Sequence, residues 1–239
     1  MKRLVITLLT VMFTVVVSAQ NVKVEFISPS IVHIVKGQPT KTLVVTAMPE
    51  NVAVNKNGNT WKSSELTVKQ DAQGNLTFLT AKGKVLLKEK SCDVKEVRQT
   101  FTLDKDEAVY GLGTIQDGKM NRRGCQKRME QSNLEDFQNV LQSIKGWGLY
   151  WENYSPTVFE DNAEGMTFDA EVGEGIDYYF MYGGSADGVI AQMRYLTGDV
   201  PMFPMWTYGF WQSKVVDSNT RAQKLEQGCI LGDNDQEIA

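Results

Sequence analysis

Val22-Lys23-Val24-Glu25-Phe26-Ile27, the break Ser28-Pro29-Ser30, and Ile31-Val32-His33-Ile34-Val35 decide the fold class. The first run alternates apolar with polar residues, the middle triplet is turn chemistry, and the second run is extended and β-branched, so together they predict a hairpin. The same grammar repeats along the chain. Strand-like runs follow at 42–47, 66–69, 76–80, 85–88 and 97–103, joined by Asn57-Gly58, Gln73-Gly74-Asn75 and Lys82-Gly83-Lys84, and resume at 108–110, 146–152, 157–160, 166–171 and 176–182. A period of two throughout, with turns at short intervals, predicts an all-β antiparallel sandwich rather than a helical or βαβ fold. One helix stands apart: Ser185 is a good N-cap, Asp187 sits in the first turn, and Val189, Ile190, Met193 and Leu196 recur at helical spacing up to Gly198. Beyond it, Val200-Pro201-Met202-Phe203-Pro204 reads as a stiff apolar connector, the run from Thr207 to Gln212 as a strand opening something new, and 215–239 as a polar tail without a persuasive period.

The composition is that of a globular protein, 239 residues with 42% hydrophobic and 10% aromatic side chains. Net charge is −4, and the basic residues are scattered rather than striped, which argues against nucleic acid as a partner. Lys2 and Arg3, the apolar run 4–17 and the small residues Val17-Ser18-Ala19 before Gln20 read as a cleaved signal peptide covering 1–19; the run is short for a membrane anchor. The expected product is periplasmic or extracellular, with no membrane association after cleavage. Cys92, Cys125 and Cys229 are an odd set without a C-x-x-C spacing, and His33 is the sole histidine. A structural metal site and a histidine-based triad therefore have too few ligands. A Cys92–Cys125 disulfide and buried free thiols both remain open, with free thiols the plainer reading. His33, in an alternating run, is expected to cap a strand face.

Val109-Tyr110-Gly111-Leu112-Gly113, then Asp117-Gly118 and Asn121-Arg122-Arg123-Gly124, then the block from Ser143 through Gly146-Trp147-Gly148-Leu149-Tyr150-Trp151-Glu152-Asn153-Tyr154 to Ser155, stand in an order and spacing that resembles the N-terminal β-sandwich of glycoside hydrolase family 31. Asp177-Tyr178-Tyr179-Phe180 extends the likeness. Pro204-Met205-Trp206-Thr207-Tyr208-Gly209-Phe210-Trp211-Gln212-Ser213 is similar to the segment where that family's (β/α)8 barrel begins. The resemblance implies a galactose-mutarotase-like supersandwich over 20–199, a connector and vestigial first barrel strand over 200–214, and a divergent, disordered tail over 215–239. It implies a retaining exo-acting α-glycosidase, of α-glucosidase or α-xylosidase type, that needs no cofactor or metal and takes an α-linked oligosaccharide. Its two catalytic carboxylates come from aspartates on later barrel strands, to which no residue here corresponds. The chain is thus expected to be a truncated front fragment, inactive alone, with the missing barrel polypeptide as a conceivable partner; a frameshift or chimeric gene end is the hypothesis for the tail.

Five residues carry the expectation of substrate contact that this likeness implies. Asp117, Asn121 and Arg122 form a polar loop able to lean over a barrel mouth, and Trp206 and Gln212 lie where sandwich and barrel would meet. The competing reading for the loop is a solvated or interdomain connection. Gly111 and Gly113 are better read as turn glycines than as a phosphate loop. Trp147, Trp151, Tyr150 and Tyr154 invite a sugar-stacking reading, against which Trp147, Leu149 and Trp151 share one strand face and read as core. A non-catalytic glycan-binding or partner-docking sandwich is the alternative function. Glu152, Glu160, Asp161 and Asp169 are expected to be surface charges.

Overall fold

The computed structural model describes residues 22–132 and 135–209. The hairpin forms as read: β1 (Val22–Ser28) pairs antiparallel with β2 (Ile31–Gly37). There follow β3 (Asn55–Asn57), β4 (Thr60–Lys62), β5 (Leu66–Gln70), β6 (Leu76–Thr80), β7 (Val85–Asp93) and β8 (Arg98–Thr102). The chain continues through β9 (Val109–Thr114), β10 (Gln126–Met129), β11 (Asp136–Ser143), β12 (Trp147–Trp151), β13 (Thr157–Asn162), β14 (Gly165–Ala170) and β15 (Gly175–Tyr182) to the helix α1 (Ala186–Thr197). Two antiparallel sheets result, one of six strands in the order β1-β2-β15-β12-β11-β9 and one of nine in the order β10-β13-β14-β8-β7-β6-β5-β4-β3.

The core lies between the sheets. Val32, Ile34, Trp147, Leu149, Trp151, Tyr178 and Phe180 from the first sheet meet Leu66, Val68, Phe78, Phe101, Phe159 and Phe168 from the second, all fully buried. Phe78 stacks on Phe180 at 4.2 Å between centroids and Trp151 on Phe168 at 5.4 Å, aromatic packing that adds to simple burial. The uniform period of two does not hold in the centre of the first sheet: β12 is buried at every position, and β15 at every position but its last. The reason is cover on both faces. The outer face carries a second cluster of Ile27, Ile31, Tyr150, Tyr179 and Met181 beneath Leu196 of α1, with Met193 packed against it. Gly148 permits this close approach, since a Cβ there would stand 2.4 Å from Val189 Cγ1 of the helix.

The helix is capped as its sequence requires. Ser185 Oγ accepts from Gly188 N at 3.1 Å, and Gly198 closes the far end at φ 87°. Met205–Tyr208 is a 3-10 turn within a separate compact unit that begins at Val200, so Thr207 and Tyr208 are not in a strand; Phe210, Trp211, Gln212, Cys229, the signal segment and the tail lie outside the described residues.

Three expectations are corrected. The run 42–47 forms no strand, because its amides bond elsewhere: Leu43 N–H to Tyr154 Oη, Val45 N–H to Thr42 Oγ1, and Thr46 and Ala47 N–H to the Leu196 carbonyl at the end of α1. That carbonyl is one the helix cannot satisfy internally. Gly111 and Gly113 are not in turns but inside β9, at φ 123° and 90°, where the strand presses on β11. Glu152 and Asp161 are not surface charges: both are buried, while Glu160 and Asp169 are partly exposed. No disulfide joins Cys92 to Cys125, in keeping with the plainer reading of the thiols.

Candidate functional site

The polar loop between β9 and β10 brings three of the five candidate residues together. Asn121 Oδ1 accepts from Val109 N at 3.3 Å and Arg123 N at 3.2 Å, stapling the loop to the start of β9. The Arg122 guanidinium, 4% exposed, donates to both oxygens of Asp117 at 3.0 and 2.9 Å and to the Gly111 carbonyl at 3.4 Å. Asp117 is held below the usual carboxylate range chiefly by the Lys119 backbone N–H, helped by Arg122 and by Lys127 at 3.8 Å. Arg123 ties the same loop to Asp161 at 2.9 Å. The arrangement is a folded clasp: its charged groups face one another, and Arg122 commits its Nε and Nη1 donors inward. Arg122→Lys should cost about 1–3 kcal/mol, because one ammonium cannot serve the carboxylate and the carbonyl together. Urea unfolding checks this; an unchanged midpoint would mean that the clasp is ornamental. Trp206 is exposed within the 3-10 turn of the second unit, and Gln212 lies outside the described residues.

The outer face of the six-stranded sheet holds a constellation that the sequence reading did not assemble. A groove of about 590 Å³ opens there, with Phe137, Gln138 and Val140 of β11, Tyr150, Tyr154, Met193 of α1 and Val44 among its lining residues. This volume lies within the range of small-molecule clefts. Behind the tyrosines sits Glu152, 1% exposed; it accepts from the hydroxyls of Tyr154, of Tyr150 at 3.2 Å and of Thr42 at 3.2 Å. Burial pushes its carboxyl above the usual range, and the nearby Asp177 carboxylate adds to the effect, while the hydroxyl donors oppose it. Asp177 in turn accepts from Thr40 N at 2.8 Å and bonds His33 Nε2 at 2.7 Å; the His33 ring lies flat on Tyr179 at 4.2 Å. His33 thus occupies a strand face as expected, but it is engaged there in a polar network. A signal existed in the sequence only for its parts, Glu152 and Tyr154 at the end of one strand and Asp177 on another.

Other buried carboxylates are structural. Glu107 accepts from Ser143 Oγ, from Trp147 Nε1 at 2.8 Å and from Lys145 at 2.8 Å. Among the described residues, no group of three or more His, Cys, Asp or Glu side chains converges to hold a metal, and no helix is long and apolar enough to cross a membrane.

Two sheets closed on an aromatic core, a glycine-notched edge strand and a helix on the outer face define a galactose-mutarotase-like sandwich. The profile of the glycosyl hydrolase 31 N-terminal galactose mutarotase-like domain matches residues 12–160, and the chain belongs to that family. An α-xylosidase of Saccharolobus solfataricus is 32% identical over 227 residues, covering 81% of this chain and 30% of the relative. Alpha-xylosidase A of Aspergillus niger is 29% identical over 131 residues, 54% of this chain and 18% of that one. The chain therefore spans less than a third of the length of these relatives. Among solved structures, a family 31 α-xylosidase from a soil metagenome, complexed with xylose, superposes with a TM-score of 0.72 at 20% identity, over 82% of this chain and 35% of that one. A dextranase of the same family from Flavobacterium johnsoniae, complexed with glucose, gives 0.70 at 22% identity over 82% and 28%. These superpositions speak for the fold.

Proposed function

We propose that this chain is the sandwich portion of an exported retaining α-glycosidase, of α-xylosidase or α-glucosidase type, and serves its catalysis without supplying the reacting groups. The observation that carries this is the 32% identity to an α-xylosidase across 81% of the chain. The non-catalytic role is supported by the buried carboxylates, since Glu89, Glu107, Glu152, Asp161 and Asp177 are all bonded to partners within the sandwich. A retaining mechanism needs two carboxyl groups about 5 Å apart facing a substrate. Export is supported by Lys2, Arg3 and the apolar run before Ala19; amino-terminal sequencing of the mature protein should begin at Gln20.

The test is hydrolysis of aryl α-xyloside and aryl α-glucoside by the purified chain, alone and joined to the catalytic barrel of a family 31 α-xylosidase. Activity only in the joined form is the expected result. Turnover by the chain alone would overturn the assignment of a non-catalytic role. A second reading, a glycan-binding sandwich, is favoured by the groove beside Tyr150 and Tyr154. Affinity electrophoresis in xyloglucan tests it: retardation lost on Tyr154→Ala supports binding there, and no retardation of the unaltered chain ends it.

A further inference from the structure

The groove on the outer face of the six-stranded sheet is lined by polar side chains whose hydrogen bonds are largely spent within the protein. The Tyr150 and Tyr154 hydroxyls both donate inward to Glu152, and the Tyr154 oxygen also accepts from Leu43 N–H at 2.7 Å. Gln131 is used at both ends: Nε2 donates to the Phe137 carbonyl at 2.7 Å, and Oε1 accepts from Phe137 N–H at 2.9 Å. Asn139 Nδ2 donates to the Asn153 carbonyl. Ser155 Oγ lies 2.7 Å from Asn153 Oδ1 and accepts from Val172 N–H at 3.2 Å. What remains for a ligand is the exposed Gln138 amide, which has no partner among the described residues, the Asn139 Oδ1, and the half-exposed Glu130 carboxylate. No Lys, Arg or His among the described residues lines the groove. Arg128, just outside it, bonds Glu130 at 2.8 Å and also Glu171, which leaves that cluster net negative.

A bare sugar fits such a lining badly. Each of its hydroxyls that loses water without gaining a partner lowers affinity about five- to a hundredfold. An aromatic ring makes no such demand, and the groove offers what suits it. Phe137, Tyr150 and Tyr154 contribute rings, and Met129 and Met193 bring thioethers, whose polarisable sulfur favours contact with aromatic rings. We propose that this groove binds a neutral aromatic ring carrying one hydrogen-bonding oxygen, of the phenol or aryl ether kind, either free or as the aglycone of a glycoside. The ring enters among the methionines and tyrosines, and the Gln138 amide donates to the phenol or ether oxygen. An aromatic carboxylate meets no cation here and is repelled by Glu130. The inference rests on the groove being a ligand site, as the glycan reading holds, and goes further by naming the part of the ligand that enters.

The test follows the ε-methyl resonances of Met129 and Met193 in the purified chain, near neutral pH, during titration with 4-methylphenol, phenyl α-xyloside, xylose and 4-methylbenzoate. The first two should shift both methyls saturably, while the exposed Met120 stays still. Xylose should move neither, and 4-methylbenzoate should bind at least about tenfold more weakly than 4-methylphenol. Gln138→Leu, at an exposed position, should weaken 4-methylphenol about three- to tenfold. Tighter binding of phenyl α-xyloside than of 4-methylphenol would identify the ring as an aglycone, and equal affinities would identify a free phenol; both support the proposal. Xylose shifts as large as those of phenyl α-xyloside, or retardation in xyloglucan with no shift by either aryl probe, would overturn it and leave the glycan reading standing. No shift by any probe and no retardation would end both. A carboxylate that binds as well as the phenol, or an affinity unchanged by Gln138→Leu, would also overturn it.

Discussion

Lys36→Met should destabilise the sandwich by about 3–5 kcal/mol, a large part of the about 5–15 kcal/mol that holds a domain together. Lys36 and Glu89 have fully buried side chains on opposite sheets, Nζ 2.7 Å from Oε2. Around them Gln99 Oε1 accepts from Lys36 at 3.0 Å, while Leu76 N–H and the Tyr178 hydroxyl donate to Glu89 at 2.5 and 2.6 Å. Removing the lysine leaves Glu89 as an uncompensated charge in the core. Burial and that carboxylate push the Tyr178 hydroxyl well up in pKa, so it stays protonated and remains a donor to Glu89. Adding Glu89→Leu to Lys36→Met should recover only part of the loss, because the Leu76 amide and the Tyr178 hydroxyl are then orphaned. Urea unfolding of the two variants measures both numbers. A Lys36→Met loss below about 1 kcal/mol would mean that the pair is hydrated and not sealed in the core.

Gly113→Ala should cost about 3 kcal/mol or more, for a reason independent of the ion pair. Its φ of 90° is one that L side chains rarely adopt, and a Cβ there would stand 2.0 Å from the Asp136 carbonyl of β11. Conformation alone costs roughly 1–2 kcal/mol, and the clash must push the edge strand β9 away from β11. Gly118→Ala provides the control, since its φ of 69° is also left-handed but no atom lies within 4 Å of the added carbon. The difference between the two midpoints isolates the close approach of β9 to β11. Equal losses would show that backbone conformation, and not contact, explains the glycine.

That edge also shows where sequence reading reached its limit. β11 carries little strand signal, because Phe137 is the one apolar residue in Asp136-Phe137-Gln138-Asn139 and the register shift between Phe137 and Leu141 blurs the alternation a strand needs to be seen. The two glycines of β9 were legible as special but not as strand residues. Their need arises from a carbonyl that enters more than twenty positions later in the chain.

The sequence by itself determined what is local: the β1–β2 hairpin, the turns at Gly58, Gly74 and Gly83 with their positive φ, the caps of α1, and the inward face of Trp147, Leu149 and Trp151. Each depends on dihedral preference or on a period of two or 3.6, which neighbouring residues set among themselves. The motif blocks from Val109 onward also pointed to the family. Only the tertiary structure decided that Lys36 would find Glu89 across 53 positions, that Thr42 would find Glu152 across 110, and that an apolar run reading as a strand would bond to Tyr154 and the end of α1 instead of joining a sheet. A buried charge or an unpaired amide is tolerated only where a distant partner completes it, and that partner's place is fixed by how the sheets close, not by the residues on either side.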